Sequence, residues 1–222
     1  MKRKMNIKHV LRKVLSIPKS LYFNLYYLPL SQAIYMPLRI SHDVIVGKMG
    51  NRNAVRIKNV REKINIGFSA SYALGGKTYW EIGENGSIIF NGSATLGKGT
   101  QVIVDGVLDV GSRFYCNADC IINSGKCIKF GNDVLVGWKV TFLDGDGHYM
   151  IDNIGNHLEK YGSIDIGEHV WIASDSTILK DAHIYSGSVV AYGSIISKDM
   201  EKLGTLIGGT NRILKENINW EK

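Results

Sequence analysis

GSIDIGEHVWIASDSTILKDAHIYSGSVVAYGSIISKDM, residues 162–200, carries a β-branched aliphatic residue at every sixth position. The series is Ile166, Ile172, Ile178, Ile184, Val190 and Ile196. A small residue follows several of these (Gly167, Ala173, Ala191), and a small, hydroxyl or β-branched residue lies four further on (Val170, Ser176, Ala182, Ser188, Ser194). Such a period is neither the 3.6 of a helix nor the sustained alternation of a long strand. It suits a short strand, a tight corner and the next short strand, with three hexads making one triangular coil. The aliphatic residue then points inward and stacks on its equivalent in the next coil. No single coil can bury its own apolar face, so several must stack. Glycine after the aliphatic is expected to allow corner conformations that a Cβ would penalise.

The same phase runs back from His148 through Phe142, Val136 and Phe130. Further upstream it continues through Ile82, Ile88, Leu96, Val102, Val110, Cys116 and Ile122, with three steps of eight residues rather than six. These longer steps read as two-residue bulges at corners. Ile64 and Ile66-Gly67 begin the first, imperfect coil. The expected organisation is an N-terminal segment over 1–50, a coiled all-β domain over 51–205 and a closing segment over 206–222. Between Tyr149 and Ser163 the hexad pattern is lost, and Asn153, Gly155, Asn156 and Gly162 mark an excursion from the coil. Loops longer than about 12 residues in a compact domain are often functional. His148 sits where the chain leaves the scaffold.

Composition narrows the alternatives. The chain has 222 residues, 45% hydrophobic, with 25 Gly and only 3 Pro, so tight turns are many and disorder is not expected. The net charge of +7 is local: eight of the 27 basic side chains and none of the acids lie in residues 1–42, which leaves 19 basic against all 20 acidic ones elsewhere. A basic arm of this kind can meet anionic lipid, glycan or nucleic acid, or simply be solvated. Basic residues followed by Tyr, Phe and Leu have the composition of a membrane-surface anchor, either interfacial or packed on the body. Residues 20–38 are uncharged over a spanning length, but Asn24, Pro29, Gln32 and Pro37 argue against a transmembrane helix. No uninterrupted apolar run forms a signal peptide. Cys116, Cys120 and Cys127 have neither disulfide-framework nor zinc spacing and fit a reducing cytoplasm, with Cys116 as a small core residue.

Residues 162–200 resemble the C-terminal coils of the hexapeptide-repeat acyltransferases, and LIGGTNRILK at 206–215 is similar to their closing segment. DVLVGWKVTFLDGDGHYMID, residues 133–152, resembles the catalytic region of the sugar O-acetyltransferase branch. SIPKSLYFNLYYLPLSQAIYMPL resembles the lead-in of the enzymes that decorate capsule and O-antigen polysaccharides. The resemblance implies a left-handed parallel β-helix with a short C-terminal helix, a homotrimer with sites between subunits, and acetyl-CoA as donor with no metal required. Ala173 and Tyr192 stand where that family usually has Gly or a small residue, and its usual proline is absent near Thr210–Arg212.

Moving acetyl from a thioester to an alcohol requires loss of the alcohol proton as the oxygen attacks. An imidazole suits this, which makes His148 the candidate base. Its second nitrogen needs an orienting partner, and Asp146 is preferred over Asp144. Asp144 and Trp138 are candidate substrate-binding residues, Trp138 as an aromatic wall for a sugar. Ala173 and Ala191 would let a pantetheine arm run close to the coils, and Lys198 and Arg212 match the family's basic positions for the nucleotide phosphates. His157, His169 and His183 are expected on the solvated surface. The rivals are a metal-dependent hydratase of carbonic-anhydrase type on the same scaffold, a non-catalytic β-helix, and nucleic-acid binding through the arm. The last has charge alone in its favour, since no nucleic-acid-binding motif is present.

Overall fold

The computed structural model describes residues 7–68 and 76–221. Three helices lead in: α1 (Ile7–Leu15), α2 (Ile17–Tyr27) and α3 (Leu30–Ala33). β1 (Leu38–Ile40), β2 (Ile45–Met49) and β3 (Val55–Ile57) then make the first coil. The second holds β4 (Ile64–Ile66), β5 (Tyr79–Ile82) and β6 (Ser87–Phe90), and the third β7 (Ala94–Leu96), β8 (Gln101–Val104) and β9 (Val107–Val110). β10 (Phe114–Cys116), β11 (Ile121–Ser124) and β12 (Cys127–Phe130) form the fourth, and β13 (Leu135–Val136), β14 (Thr141–Leu143) and β15 (Ile164–Ile166) the fifth. The sixth is β16 (Trp171–Ile172), β17 (Thr177–Leu179) and β18 (His183–Ile184). β19 (Val189–Val190) and β20 (Ile195–Ile196) start an incomplete seventh, closed by β21 (Leu206–Gly208) and β22 (Arg212–Lys215).

Each coil gives one strand to each of three parallel faces, and the fold is a left-handed parallel β-helix. The first face runs from β1 to β22, the second from β2 to β20 and the third from β3 to β18. Every apolar residue of the hexad series from Ile64 to Ile196 is buried, so the periodicity marks the inward positions, and it ends at the exposed His148 before resuming at Ile166. The coils begin at Leu38, ahead of the expected residue 51.

Two expectations about the coils need correction. The eight-residue steps are not corner bulges. In the third and fourth coils the second- and third-face strands are four residues long and turn two side chains inward, as Val102 and Val104 do, or Ile128 and Phe130. Partners lie 20 residues apart there (Val102↔Ile122, Val110↔Phe130) and 18 apart in the last coils (Ile172↔Val190, Ile178↔Ile196). Gly67 does hold a positive φ of 80° after Ile66, but the later glycines after the aliphatics are used differently. A Cβ on Gly131 would lie 2.6 Å from the backbone of Gly167 and Glu168, and one on Gly137 2.5 Å from the Ser174 nitrogen. They are small because stacked corners touch. The positive φ falls two residues later, on Asp133, Lys139, His169 and Asp175.

Both ends of the β-helix are closed, which protects edges that would otherwise pair with other chains. At the top, β22 returns antiparallel along β21. The short C-terminal helix expected here is replaced by this hairpin. At the bottom, α2 lies along β1 with Ser16, Ser20 and Asn24 on one row. The Asn24 amide donates to the Leu38 carbonyl at 2.7 Å and accepts from the Leu38 N–H at 3.1 Å. Ser20 Oγ accepts from Ile40 N at 2.9 Å, and Ser16 Oγ from His42 N at 3.0 Å. A polar helix row therefore stands in for a missing strand. Phe23 and Tyr27 fill the open end against Trp80, whose indole N–H donates to Tyr27 Oη at 3.3 Å. Asn24→Ala would orphan a buried N–H and a buried carbonyl. The expected loss is about 2–4 kcal/mol, read as a lowered urea midpoint with unchanged slope.

Candidate active site

The excursion leaves the coil after β14, at the edge between the second and third faces. It is an irregular hairpin that starts earlier than residue 149. Gly145 pairs antiparallel with Tyr161 and Ile151 with His157. Asp146 N donates to the Lys160 carbonyl at 3.1 Å, Leu158 N to Met150 O at 2.8 Å and Gly162 N to Asp144 O at 2.9 Å. At the tip, Asp152 accepts from Ile154 N and Asn156 N at 2.9 and 2.8 Å. The hydrogen bonds of the Asn156 backbone and side chain hold the Asp152 carboxyl below the usual range. The ring of Tyr161 covers Gly125 and Gly145, where an added Cβ would lie 2.2 and 2.5 Å from it. The hairpin is thus pinned at stem and tip.

His148 is exposed on the outgoing strand of this hairpin and makes no hydrogen bond or ion pair among the described residues. Its neighbours are all engaged. Asp144 is not a substrate ligand: it is 1% exposed and occupies the inward position equivalent to Ser124 one coil below. Its carboxylate accepts from Gly125 N (2.6 Å), Lys126 N (2.9 Å), Cys127 N (2.8 Å) and Ser124 Oγ (3.1 Å). It closes the tight turn that the departing chain leaves uncovered. Asp146 makes no hydrogen bond to His148 either. Its carboxylate pairs with the Lys180 ammonium, which also donates to the Glu159 carbonyl at 2.9 Å. Asp146 is therefore part of the stem.

The remaining candidates fall at other places. Trp138 (44% exposed), Ala173 and Ala191 share the edge between the first and second faces. Trp138 N donates to Ser174 Oγ at 3.0 Å, and Ala191 O accepts from Ser176 and Ser194 Oγ at 3.0 and 2.7 Å. Tyr192, 72% exposed, stands on the same edge. Within one chain this edge and the His148 edge are separated by the whole second face. Lys198 and Arg212 are exposed, and neither forms an ion pair among the described residues. Asn211 accounts for the missing proline. It holds φ 51° and ties to Ser197 through both its amide groups, at 2.7 and 2.9 Å, setting the Arg212 segment beside the Lys198 segment.

His157 is exposed as expected, but His169 and His183 are half-buried. His169 lies between Asp133 (2.8 Å) and the Trp220 carbonyl (3.0 Å) and stacks on the Trp220 ring at 4.2 Å. His183 stacks on Tyr185 at 4.0 Å. Among the described residues no three His, Cys, Asp or Glu side chains of the chain converge as a metal site. Residues missed in the sequence are Lys180, Tyr161 and the outward, 38% exposed Trp171, whose ring lies 6.1 Å from that of Trp220. An outward Trp in the midst of an aliphatic hexad was the available signal for the last.

No family model matches the chain. A galactoside O-acetyltransferase of Escherichia coli (strain K12) is 31% identical over 110 residues, which cover 49% of this chain and 54% of that one. A polysialic acid O-acetyltransferase of Escherichia coli O1:K1 / APEC is 29% identical over 146 residues, 65% of this chain and 45% of that one. An uncharacterized 24.8 kDa protein in the cps region of Klebsiella pneumoniae is 29% identical over 176 residues, 75% and 78% of the two chains. The chain spans about half the length of the first two relatives. The crystal structure of the polySia-specific acetyltransferase NeuO matches with a TM-score of 0.59 at 19% identity, over 81% of this chain and 89% of that one, which bears on the fold. The resemblance to sugar O-acetyltransferases is thus found again in these comparisons.

Proposed function

We propose that the protein is an acetyl-CoA-dependent O-acetyltransferase that modifies a sugar hydroxyl during surface-polysaccharide synthesis, with direct transfer and His148 as general base. The observation that carries this reading is the state of His148. It is an exposed imidazole without a hydrogen bond among the described residues, at the point where the chain leaves the coil, and the two acids nearest to it in sequence, Asp144 and Asp146, are both engaged elsewhere, which leaves it free for an incoming hydroxyl. The relatives named as galactoside and polysialic acid O-acetyltransferases favour a sugar acceptor.

Acetyl-CoA would supply an acyl group activated as a thioester. The small side chains of Ala173 and Ala191 leave room for a narrow chain along their edge, and the unpaired Lys198 and Arg212 suit phosphates. His148 takes the proton of the acceptor hydroxyl as its oxygen attacks, then returns it to the departing thiolate. A backbone N–H would meet the developing oxyanion. Trp138 and Ala173 occupy one edge of the prism and His148 another. A second copy could bring the two edges together, which supports a homotrimer with sites between subunits. We place the enzyme in the cytoplasm, with residues 1–42 meeting the membrane face. Residues 1–6 of that arm lie outside the described residues, and among those described no helix is long and apolar enough to cross a membrane.

The test is thiol release from acetyl-CoA with a panel of galactosides and sialic acid oligomers as acceptors. Acceptor-dependent release is expected. A protein that neither binds nor consumes acetyl-CoA would overturn the assignment.

A further inference from the structure

A groove of about 780 Å³ lies between α1, α2 and the Tyr35–Met36 turn on one side and the outer side of the first face on the other, far along the chain from the His148 hairpin. Lys13, Arg39 and Lys63 line it, and no carboxylate is among its lining residues. Lys13 and Arg39 have no ion pair among the described residues, and the Lys63 ammonium bonds only the Tyr35 carbonyl, at 2.6 Å. No acid occurs in residues 1–42 or 69–75 that could serve as a counter-charge. Burial, and then the charge of Arg39, lower the Lys63 pKa, as expected where cations face each other uncompensated. Tyr115 and Thr95 add hydroxyls to the wall. The groove is also continuous with apolar surface. Val14 and Ile17 line it while 54% and 55% exposed, and Leu21 and Leu25 (46% and 48%) continue the Ile17 row along α2. An exposed apolar row beside unpaired cations is the pattern of an interfacial helix on an anionic bilayer.

We propose that this groove seats the phosphate-bearing headgroup of an anionic membrane lipid, with the Ile17–Leu21–Leu25 row lying at the acyl boundary. This rests on the reading that residues 1–42 meet a membrane, and it names the lipid group and its seat. Lys13 and Arg39 supply the charge, and Asn65 and Thr95 the neutral hydrogen-bonding groups. The volume, within the range of about 300–1,000 Å³ usual for small-ligand sites, accommodates a glycerophosphate headgroup.

The experiment is co-sedimentation of the full chain with vesicles of phosphatidylcholine, with and without phosphatidylglycerol. Wild type is compared with Lys13→Gln/Arg39→Gln, with the charge-matched Lys126→Gln/Lys129→Gln on the third face, and with Leu21→Gln/Leu25→Gln. All these positions are exposed, and circular dichroism checks that each variant is folded. Wild type should sediment only with the phosphatidylglycerol vesicles. Removing Lys13 and Arg39 should weaken this about 30-fold, as two basic groups lost at an anionic surface would. The charge-matched pair should change it less than about 2-fold. Equal losses in both charge variants, or undiminished binding without Lys13 and Arg39, would overturn the groove assignment while leaving a membrane contact standing. Absence of wild-type binding would remove both. In that case a shift in oligomeric state for Leu21→Gln/Leu25→Gln, seen by light scattering, would assign the apolar row to a second copy of the chain.

Discussion

His148→Ala should lower kcat for acceptor-dependent thiol release by about 10²–10⁴-fold, the range for loss of a positioned base. That is about 3–5 kcal/mol of transition-state stabilisation. Because the imidazole is exposed and makes no internal hydrogen bond, the melting temperature should hold and stability should change by less than about 0.5 kcal/mol. Affinity for acetyl-CoA should also persist, since the small residues and cations assigned to it lie on other elements. A loss confined to kcat is the signature of an interaction made only in the transition state. Robust turnover by the variant would keep the transferase and move the base elsewhere.

The hexads made most of the fold legible because each inward position admits only a residue that stacks on its equivalent above and below. Ile166, Ile172 and Ile178 therefore announce three faces without any knowledge of the corners. The corners themselves were harder to read. Glycine after the aliphatic looks like a conformational requirement, yet Gly131 and Gly137 are small because the next coil's backbone passes beside them. That contact joins residues 36 and 37 apart, with the excursion between them, so no local pattern reports it. The closure of the ends was equally hidden. Ser16, Ser20 and Asn24 recur every four residues in plain view, but the segment reads equally as an interfacial helix or as one packed on the body until the open edge of β1 is placed beside it.

The departure of the chain beside His148 was legible because the period stops there. The acidic neighbours of His148 were misread for a reason of register. In the longer coils the residue two after an inward aliphatic is inward again, as Val104 follows Val102 and Ser124 follows Ile122. Asp144 follows Phe142 in the same way and is carried inside. A strict hexad count gives that position no side of the strand, and the D-G-D-G stretch looks like a surface turn. Asp146 was misplaced because its partner, Lys180, lies on the following coil and beyond the excursion.

Asp144→Ala should be the most damaging of the single changes considered. Both carboxylate oxygens are used: Oδ1 takes Gly125 N, and Oδ2 takes Lys126 N, Cys127 N and Ser124 Oγ. Truncation leaves three backbone N–H groups without an acceptor under the departing hairpin, while the Ser124 hydroxyl keeps the Val107 carbonyl at 2.9 Å. At about 1–3 kcal/mol for each buried orphan, and with partial compensation by entering water, the expected cost is about 3–5 kcal/mol. Asp144→Asn should recover only part of this, because one of its two terminal atoms is then a donor aimed at donors. A chemical-denaturation series over wild type, Asn and Ala should therefore show ordered midpoints. The same substitution bears on function, since Asp144 fixes the residue from which the chain departs toward His148. Activity of the folded Asp144→Asn protein should fall through kcat as the base loses its position, with acetyl-CoA affinity retained. Equal stability of wild type and Asp144→Asn would mean that the turn at Gly125–Cys127 finds its acceptors elsewhere, and the hairpin would then owe its position to Tyr161 and the Asp146–Lys180 pair alone.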